Sequence, residues 1–354
     1  MITRRALVGT LPALALAPRI VRAQSGDLIW PEPDWTVAVP ADLGLDAATL
    51  EAAGALVPAA YPDVTGIAVV RHGTIGFENY YGDRYGPSDP VKIRSITKCV
   101  TGTLIGMLID DGDLTLKTTI GDVLADRIPA GADPATAAIT VRSLLTMSPG
   151  WEWDIHGEYE RLIAQPDWTA YMLGLPVAYP QGQVFAYNSG ASHLLSMIVA
   201  AVTGDRTVRF ADRRLFGPLG INRPPWERSP EGEVAGGFGL ELTVRDLARF
   251  GLFALRTGRW RDDQLLSADW LTAATSYQAT GDTTGYAAYG FQWWVITDGP
   301  YPAYFGLGFG SNYLYIVPDL DLLVVVLKGF ETPPNPVSIV RPFIENNILP
   351  AVLA

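Results

Sequence analysis

The sequence predicts an α/β (α+β) protein: an antiparallel sheet flanked by N- and C-terminal helices, with a mainly helical subdomain inserted between its halves. Three observations predict it. Strand patterns lie near both ends of the chain, at 67–81 and again from 289 to 328. Between them, from about 116 to 285, apolar residues recur at helical spacing, interrupted by Pro- and Trp-rich loops. A strongly apolar helical run, Ser95 to Ile109, follows the first strand region. Residues 24–115 and 286–354 therefore read as one α/β subdomain sharing a sheet, and 116–285 as the helical one.

Residues 24–45 are rich in Pro and Trp and form an extended lead-in; Asp46 to Leu56 is a short helical pattern. Ile67-Ala68-Val69-Val70 and Ile75 to Tyr81 read as two strands joined by the tight turn Arg71-His72-Gly73-Thr74, which makes His72 a turn residue. The helix from Ser95 to Ile109 is apolar nearly all round, the mark of a buried helix, and Gly112 is placed to end it. In the middle, Val141–Thr146, Ala191–Thr203 and Thr243–Arg256 are helical, with Thr243 as a capping residue. His193 falls on the face of the second of these. Residues 289–296, 312–317 and 321–328 return to strand character, and a C-terminal helix is expected near Pro336–Ile348.

Composition narrows the function. Hydrophobic residues make up 48% and charged residues 18% of 354, enough apolar mass to offset ordering entropy, which excludes a disordered chain. With 26 basic and 37 acidic residues the net charge is −11, a surface that repels phosphate backbones, so no nucleic-acid partner is expected. A single cysteine excludes a disulfide framework and makes Cys99 a small buried hydrophobe. Three histidines are too few for a metal cage, and neither a metal nor another cofactor is expected.

Arg4-Arg5 precede an apolar stretch from Ala6 to Ala17, and Val21-Arg22-Ala23 offers small residues where a signal peptidase reads. Residues 1–23 therefore read as a secretory leader, its arginine pair matching the twin-arginine pattern. The apolar run is too short to span a bilayer. The expectation is an exported protein, periplasmic or secreted, with no membrane attachment after leader removal. Its oligomeric state has no signature in the sequence.

The chemistry gathers at Ser95-Ile96-Thr97-Lys98, the only S-x-x-K in a chain of four lysines. Residues three apart share a helix face, so Lys98 reaches Ser95. Burial disfavours the charged amine and brings it toward a usable base. The first turn of a helix offers free N–H groups to a developing oxyanion. A solvated surface Ser and Lys would need a polar face around them, and this helix has almost none.

Ser-x-x-Lys at the head of an apolar helix that runs into Asp110-Asp111-Gly112-Asp113-Leu114 resembles the serine β-lactamase and penicillin-binding protein superfamily. Further matches follow in order: Leu144-Leu145-Thr146-Met147-Ser148-Pro149-Gly150, then Phe185-Ala186-Tyr187-Asn188-Ser189-Gly190. Gly236-Gly237-Phe238-Gly239-Leu240 and the stretch Leu242 to Gly251 complete the set. Together they are similar to the class C-related branch, which includes esterases, D-aminopeptidases and 6-aminohexanoate-dimer hydrolases. The closing patterns Tyr289-Gly290-Phe291-Gln292-Trp293-Trp294 and Gly308-Phe309-Gly310 look most like the last group.

The resemblance implies a β-lactamase-like fold, with Ser95 as nucleophile and Lys98 and Tyr187 managing its proton, through a phenolate or by relay. It also implies a small-molecule ester or amide substrate. Two departures matter. The usual second motif, Tyr-x-Asn, is here Tyr187-Asn188-Ser189, so the hydroxyl of Ser189 replaces an amide. The third-motif strand, Tyr304-Phe305-Gly306-Leu307-Gly308-Phe309-Gly310, lacks the usual Lys or His that would anchor a substrate carboxylate.

Backbone groups at Gly306, Gly308, Phe309 and Gly310 are candidates to complete an oxyanion hole. Trp151 and Asp154, with Trp153 and His156 on the same loop, are candidates for the pocket wall. The expected activity is a 6-aminohexanoate-dimer-hydrolase- or esterase-like serine hydrolase. The alternatives are a true β-lactamase, a D-aminopeptidase or carboxypeptidase, and a catalytically silent penicillin-binding-like protein. No G-x-S-x-G elbow occurs.

Overall fold

Val64–Arg71 (β1) and Thr74–Tyr80 (β2) form a hairpin whose two turn residues, His72 (φ 55°) and Gly73 (φ 77°), are both left-handed, as a two-residue turn between twisted strands requires. The structure is a computed structural model that describes residues 28–83, 85–154, 157–279, 281, 287–329 and 340–353. The expected leader, His156 and the beginning of the expected C-terminal helix lie outside the described residues.

Five more strands come from the other end of the chain: β3 (Ala288–Tyr289), β4 (Trp294–Ile296), β5 (Ala303–Gly308), β6 (Asn312–Val317) and β7 (Leu322–Lys328). They join the hairpin in one antiparallel sheet ordered β2-β1-β7-β6-β5-β4-β3. The interior strand β7 lies between β1 and β6 and is buried throughout, which is why Leu322 to Leu327 reads as an unbroken apolar run. The expected strand over 289–296 is two strands, because Gly290–Trp293 leaves the ladder and Gln292 turns into the left-handed region (φ 66°).

Four helices position the site: α1 (Ala47–Ala60), α2 (Thr97–Asp110), α3 (Ser189–Thr203) and α4 (Val244–Leu255). Each start is set by its sequence where a cap is present: Asp46, Asn188 and Thr243 accept from the backbone N–H groups of Thr49, Ala191 and Asp246. Cross-strand partners share a face, so Gly306, Leu314, Val325 and Ala68 line one side of the sheet. That side is covered by α2 and α4. The other carries α1 and the C-terminal segment, where Arg341 lies 5.8 Å over the Phe305 ring and the Tyr315 hydroxyl donates to Glu345 at 3.1 Å.

Helix α4 lies within the 116–285 stretch, yet it packs on the sheet rather than among the other helices. Its buried stripe of Val244, Leu247, Ala248, Gly251 and Leu252 faces β6 and β7. Gly251 is what brings it close: a Cβ there would sit 2.6 Å from a Leu314 methyl. The backing of the sheet therefore draws on the middle of the chain as well as on its ends.

Candidate active site

Arg94, Ser95 and Ile96 form a 3-10 turn that runs directly into α2, so Ser95 stands just ahead of the helix rather than inside its first turn. Arg94 adopts φ 56°, a conformation that costs about 1–3 kcal/mol for a residue with a side chain. The Thr97 hydroxyl fixes the turn by donating to the Arg94 carbonyl at 2.6 Å. The turn places Ser95 immediately before α2.

Lys98, in the first turn of α2, is 1% exposed. Its Nζ donates to Ser95 Oγ at 3.0 Å, to Ser189 Oγ at 3.0 Å and to the Gly237 carbonyl at 2.8 Å. All three acceptors are neutral. Burial pulls the amine down from its usual range to about 7, with the neighbouring Cys99 opposing only weakly. Near neutral pH a large fraction of the amine therefore carries a lone pair beside the Ser95 hydroxyl.

Tyr187 lies under the amine, with Nζ 4.8 Å from its ring centroid, and stacks on Trp294 at 5.4 Å. Burial pushes its phenol well above the ordinary value, and a hydrogen bond with Ser95 recovers only part of that. Of the two roles the resemblance allowed, a resting phenolate is therefore disfavoured. A neutral phenol can hold or pass on a proton.

Asn188 and Ser189 divide the work at the start of α3. Asn188 is the cap, accepting from the Ala191 N–H at 3.0 Å, while Ser189 directs its hydroxyl at Lys98. On β5, two glycines let the strand press against the serine turn. A Cβ on Gly306 would lie 2.9 Å from Ile96 Cγ2, and one on Gly308 only 2.5 Å from the Ile93 carbonyl oxygen. Phe309 is 57% exposed beyond them, and Gly310 (φ 82°) makes the turn into β6.

The structure brings Ser95, Lys98, Tyr187, Ser189, Gly306 and Gly308 together. Trp151 and Asp154 make local contacts. Trp151 is buried to 2% and bridges Val177, and Asp154 is exposed and accepts from the Gly157 N–H at 3.3 Å, capping the helix Gly157–Ile163.

Two participants have no side-chain signature in the sequence reading. Gly237 contributes only a carbonyl. The signal was the pair Gly236-Gly237, whose added Cβ atoms would lie 2.2 Å from the Ser192 carbonyl and 2.7 Å from the Ser189 carbonyl. Only glycines pass there. Gln292 is 1% exposed and ties the sheet to the helices: it accepts from Ser192 Oγ at 2.6 Å and donates to the Leu145 carbonyl at 3.0 Å. Among the described residues no group of three or more His, Cys, Asp or Glu side chains is arranged to hold a metal ion.

The Beta-lactamase family model matches residues 52–340. The chain is 26% identical to a 6-aminohexanoate-dimer hydrolase of Paenarthrobacter ureafaciens, over 75% of this chain and 72% of that protein. It is also 26% identical to penicillin-binding protein 4 of Amycolatopsis lactamdurans, over 66% and 71%. In three dimensions it is similar to a Bacillus anthracis protein assigned as a 6-aminohexanoate-dimer hydrolase, with a TM-score of 0.71 at 22% identity, covering 84% of this chain and 80% of that one.

Proposed function

The chain belongs to the beta-lactamase family, and from that premise we propose that it is a serine hydrolase that cleaves an ester or amide through an acyl-enzyme on Ser95. The observation that carries the reading is the Lys98 amine, buried, 3.0 Å from Ser95 Oγ, surrounded by neutral acceptors and poised near neutrality. Neutral Lys98 takes the hydroxyl proton as Oγ bonds to the substrate carbonyl carbon. The carbonyl electron pair moves onto oxygen, where backbone N–H groups of the Ser95 turn and of β5 stabilise it. As the tetrahedral adduct collapses, the bond to the leaving oxygen or nitrogen breaks, and that atom takes the proton from Lys98, directly or through Tyr187. Water then repeats the sequence on the acyl-enzyme and frees Ser95.

A site whose β5 strand carries no cation favours neutral or amine-bearing acyl compounds over carboxylate-bearing β-lactams. The 6-aminohexanoate-dimer hydrolase among the relatives supports an oligoamide, and an ester fits the same chemistry. The leader pattern at 1–23 supports action outside the cytoplasm.

The test compares purified protein with Ser95→Ala on p-nitrophenyl butyrate, a 6-aminohexanoate dimer and nitrocefin. Turnover should fall by about a thousandfold or more in the variant, with the fold retained. Wild-type turnover by Ser95→Ala would make the assignment wrong. A wild-type protein that is silent on all three and unlabelled by a fluorophosphonate would be a penicillin-binding-like protein without catalysis.

A further inference from the structure

The third acceptor on Lys98 belongs to a loop, and the loop is bolted down six residues earlier. Glu231 lies at its tip with a side chain 11% exposed. Its Oε1 accepts from the Thr169 N–H at 2.9 Å, the Thr169 hydroxyl at 2.9 Å and His193 Nε2 at 3.1 Å, and its Oε2 accepts from the Trp168 N–H at 3.2 Å. Burial opposes the charge, but the bonds from His193 and Thr169 outweigh it and hold the carboxyl well below the usual carboxylate range.

His193, which is fully buried, lies four residues after Ser189 on α3. One face of one helix therefore carries the group that holds Lys98 and the group that holds Glu231. Between these points the loop follows the same helix: Ser196 Oγ donates to the Val234 carbonyl at 3.1 Å. From the other side, Thr101 of α2 donates to the Gly236 carbonyl at 2.7 Å. The segment is thus threaded between the two helices that bear the site.

We propose that Glu231 is a positioning residue for Lys98: clamped by His193, Thr169 and Trp168, it fixes the 229–237 segment so that the Gly237 carbonyl stays on the lysine amine. Other groups around Lys98 are the Ser95 and Ser189 hydroxyls, the Tyr187 phenol and the Cys99 thiol. Around the loop tip, Arg206 and Arg228 both donate to the Gly232 carbonyl, and Glu233 accepts from its neighbour's N–H. These arginines hold the turn but do not reach Glu231.

The sign of the effect follows from the chemistry. A carbonyl only accepts, so it favours the protonated amine, and its withdrawal lowers the Lys98 titration further. With four lysines in the chain, selective 13Cε-lysine labelling makes the Lys98 signal directly readable by NMR. Glu231→Ala is expected to move its midpoint down by about half a unit or more. The acidic limb of kcat on p-nitrophenyl butyrate should follow, with KM within about twofold of wild type. Glu231→Gln keeps an acceptor oxygen for Thr169 and should restore most of the wild-type midpoint.

Asp321→Asn, at the far end of the β6–β7 pair, is the control for simple loss of stability and should leave the midpoint in place. If Glu231→Ala does not fold, Thr169→Val, which removes one bond of the clamp, takes its place. A folded clamp variant with an unmoved Lys98 midpoint overturns the proposal, as does an equal shift in Asp321→Asn. Only the kinetic arm rests on the hydrolase reading. The titration reads Lys98 whether or not an ester is turned over, so the two can fail separately.

Discussion

The cations of this protein keep two kinds of company. Arg256 is bidentate to Asp321, which also accepts from His72 Nδ1 at 3.0 Å, and Arg245 holds Glu78 through two nitrogens while reaching Asp34. Those guanidiniums meet carboxylates. Lys98, more deeply buried than either, meets two hydroxyls and a carbonyl. The paired cations fasten the sheet hairpin and the β6–β7 turn to the helices. Lys98 is left with a labile proton, because its acceptors carry no negative charge to repay its desolvation.

The sharpest way to break this contrast is Lys98→Arg. A cationic head on a flexible stem is kept, but a guanidinium does not deprotonate in a protein, so the proposed base is lost. We expect kcat/KM on an ester to fall by about a thousandfold or more while the circular dichroism spectrum is retained. The wild-type pH profile sharpens the same point. If Lys98 is the proposed base, its neutral amine is the active form, and activity should be low in acid and rise as the pH passes about 7. Activity that stays level from pH 5 to 8 would take Lys98 out of the base role.

Gly308→Ala should have the next largest effect. A Cβ 2.5 Å from the Ile93 carbonyl forces β5 away from the serine turn, and the Cβ atoms of Asn312 at 2.9 Å and Arg94 at 3.1 Å leave little room to yield. A displacement of well under 1 Å at the reacting groups is worth on the order of tenfold to a hundredfold in kcat. The loss of stability should be about 1–3 kcal/mol. Unchanged kcat in a folded Gly308→Ala would separate β5 from the chemistry.

How much of this was legible in the sequence differs between side chains and backbone. Ser95 and Lys98 were readable because a helix turns three-residue spacing into contact. Ser189 was readable as the second motif's hydroxyl, a substrate contact, but its bond to the same amine was not. Strand β6 was legible to the residue, since its run of aromatic and aliphatic residues is bounded by turns on both sides. Helix α4 was legible as a helix, but not its place on the sheet: an apolar stripe says that a face is buried, not against what. Gly237 and the Glu231–His193 clamp were not legible. A carbonyl has no residue type, and the clamp joins positions 38 residues apart through a loop with no pattern of its own. The neutral state of Tyr187 depends on burial by Trp294 and its neighbours, which no motif encodes.

The smallest expected effect tests the other side of the contrast. Asp321 sits in the left-handed region at the β6–β7 turn, beyond Val317, which is five residues along β6 from Asn312 and so roughly 17 Å from the glycine end of the pair. Burial raises its carboxyl, but Arg256 and His72 outweigh that and leave it below the ordinary value. The pair therefore stabilises the fold at pH values above the usual carboxylate range, and the contribution fades as the pH falls through the depressed value. Asp321→Asn keeps the shape and removes the charge. We expect a loss of about 1–2 kcal/mol in urea unfolding at pH 7, given that Asp321 is partly exposed, shrinking as the pH falls through the depressed carboxyl value. Ester turnover per folded molecule should be unchanged. A kinetic defect in this variant, with no defect in Lys98→Arg, would reverse the assignment of the two networks.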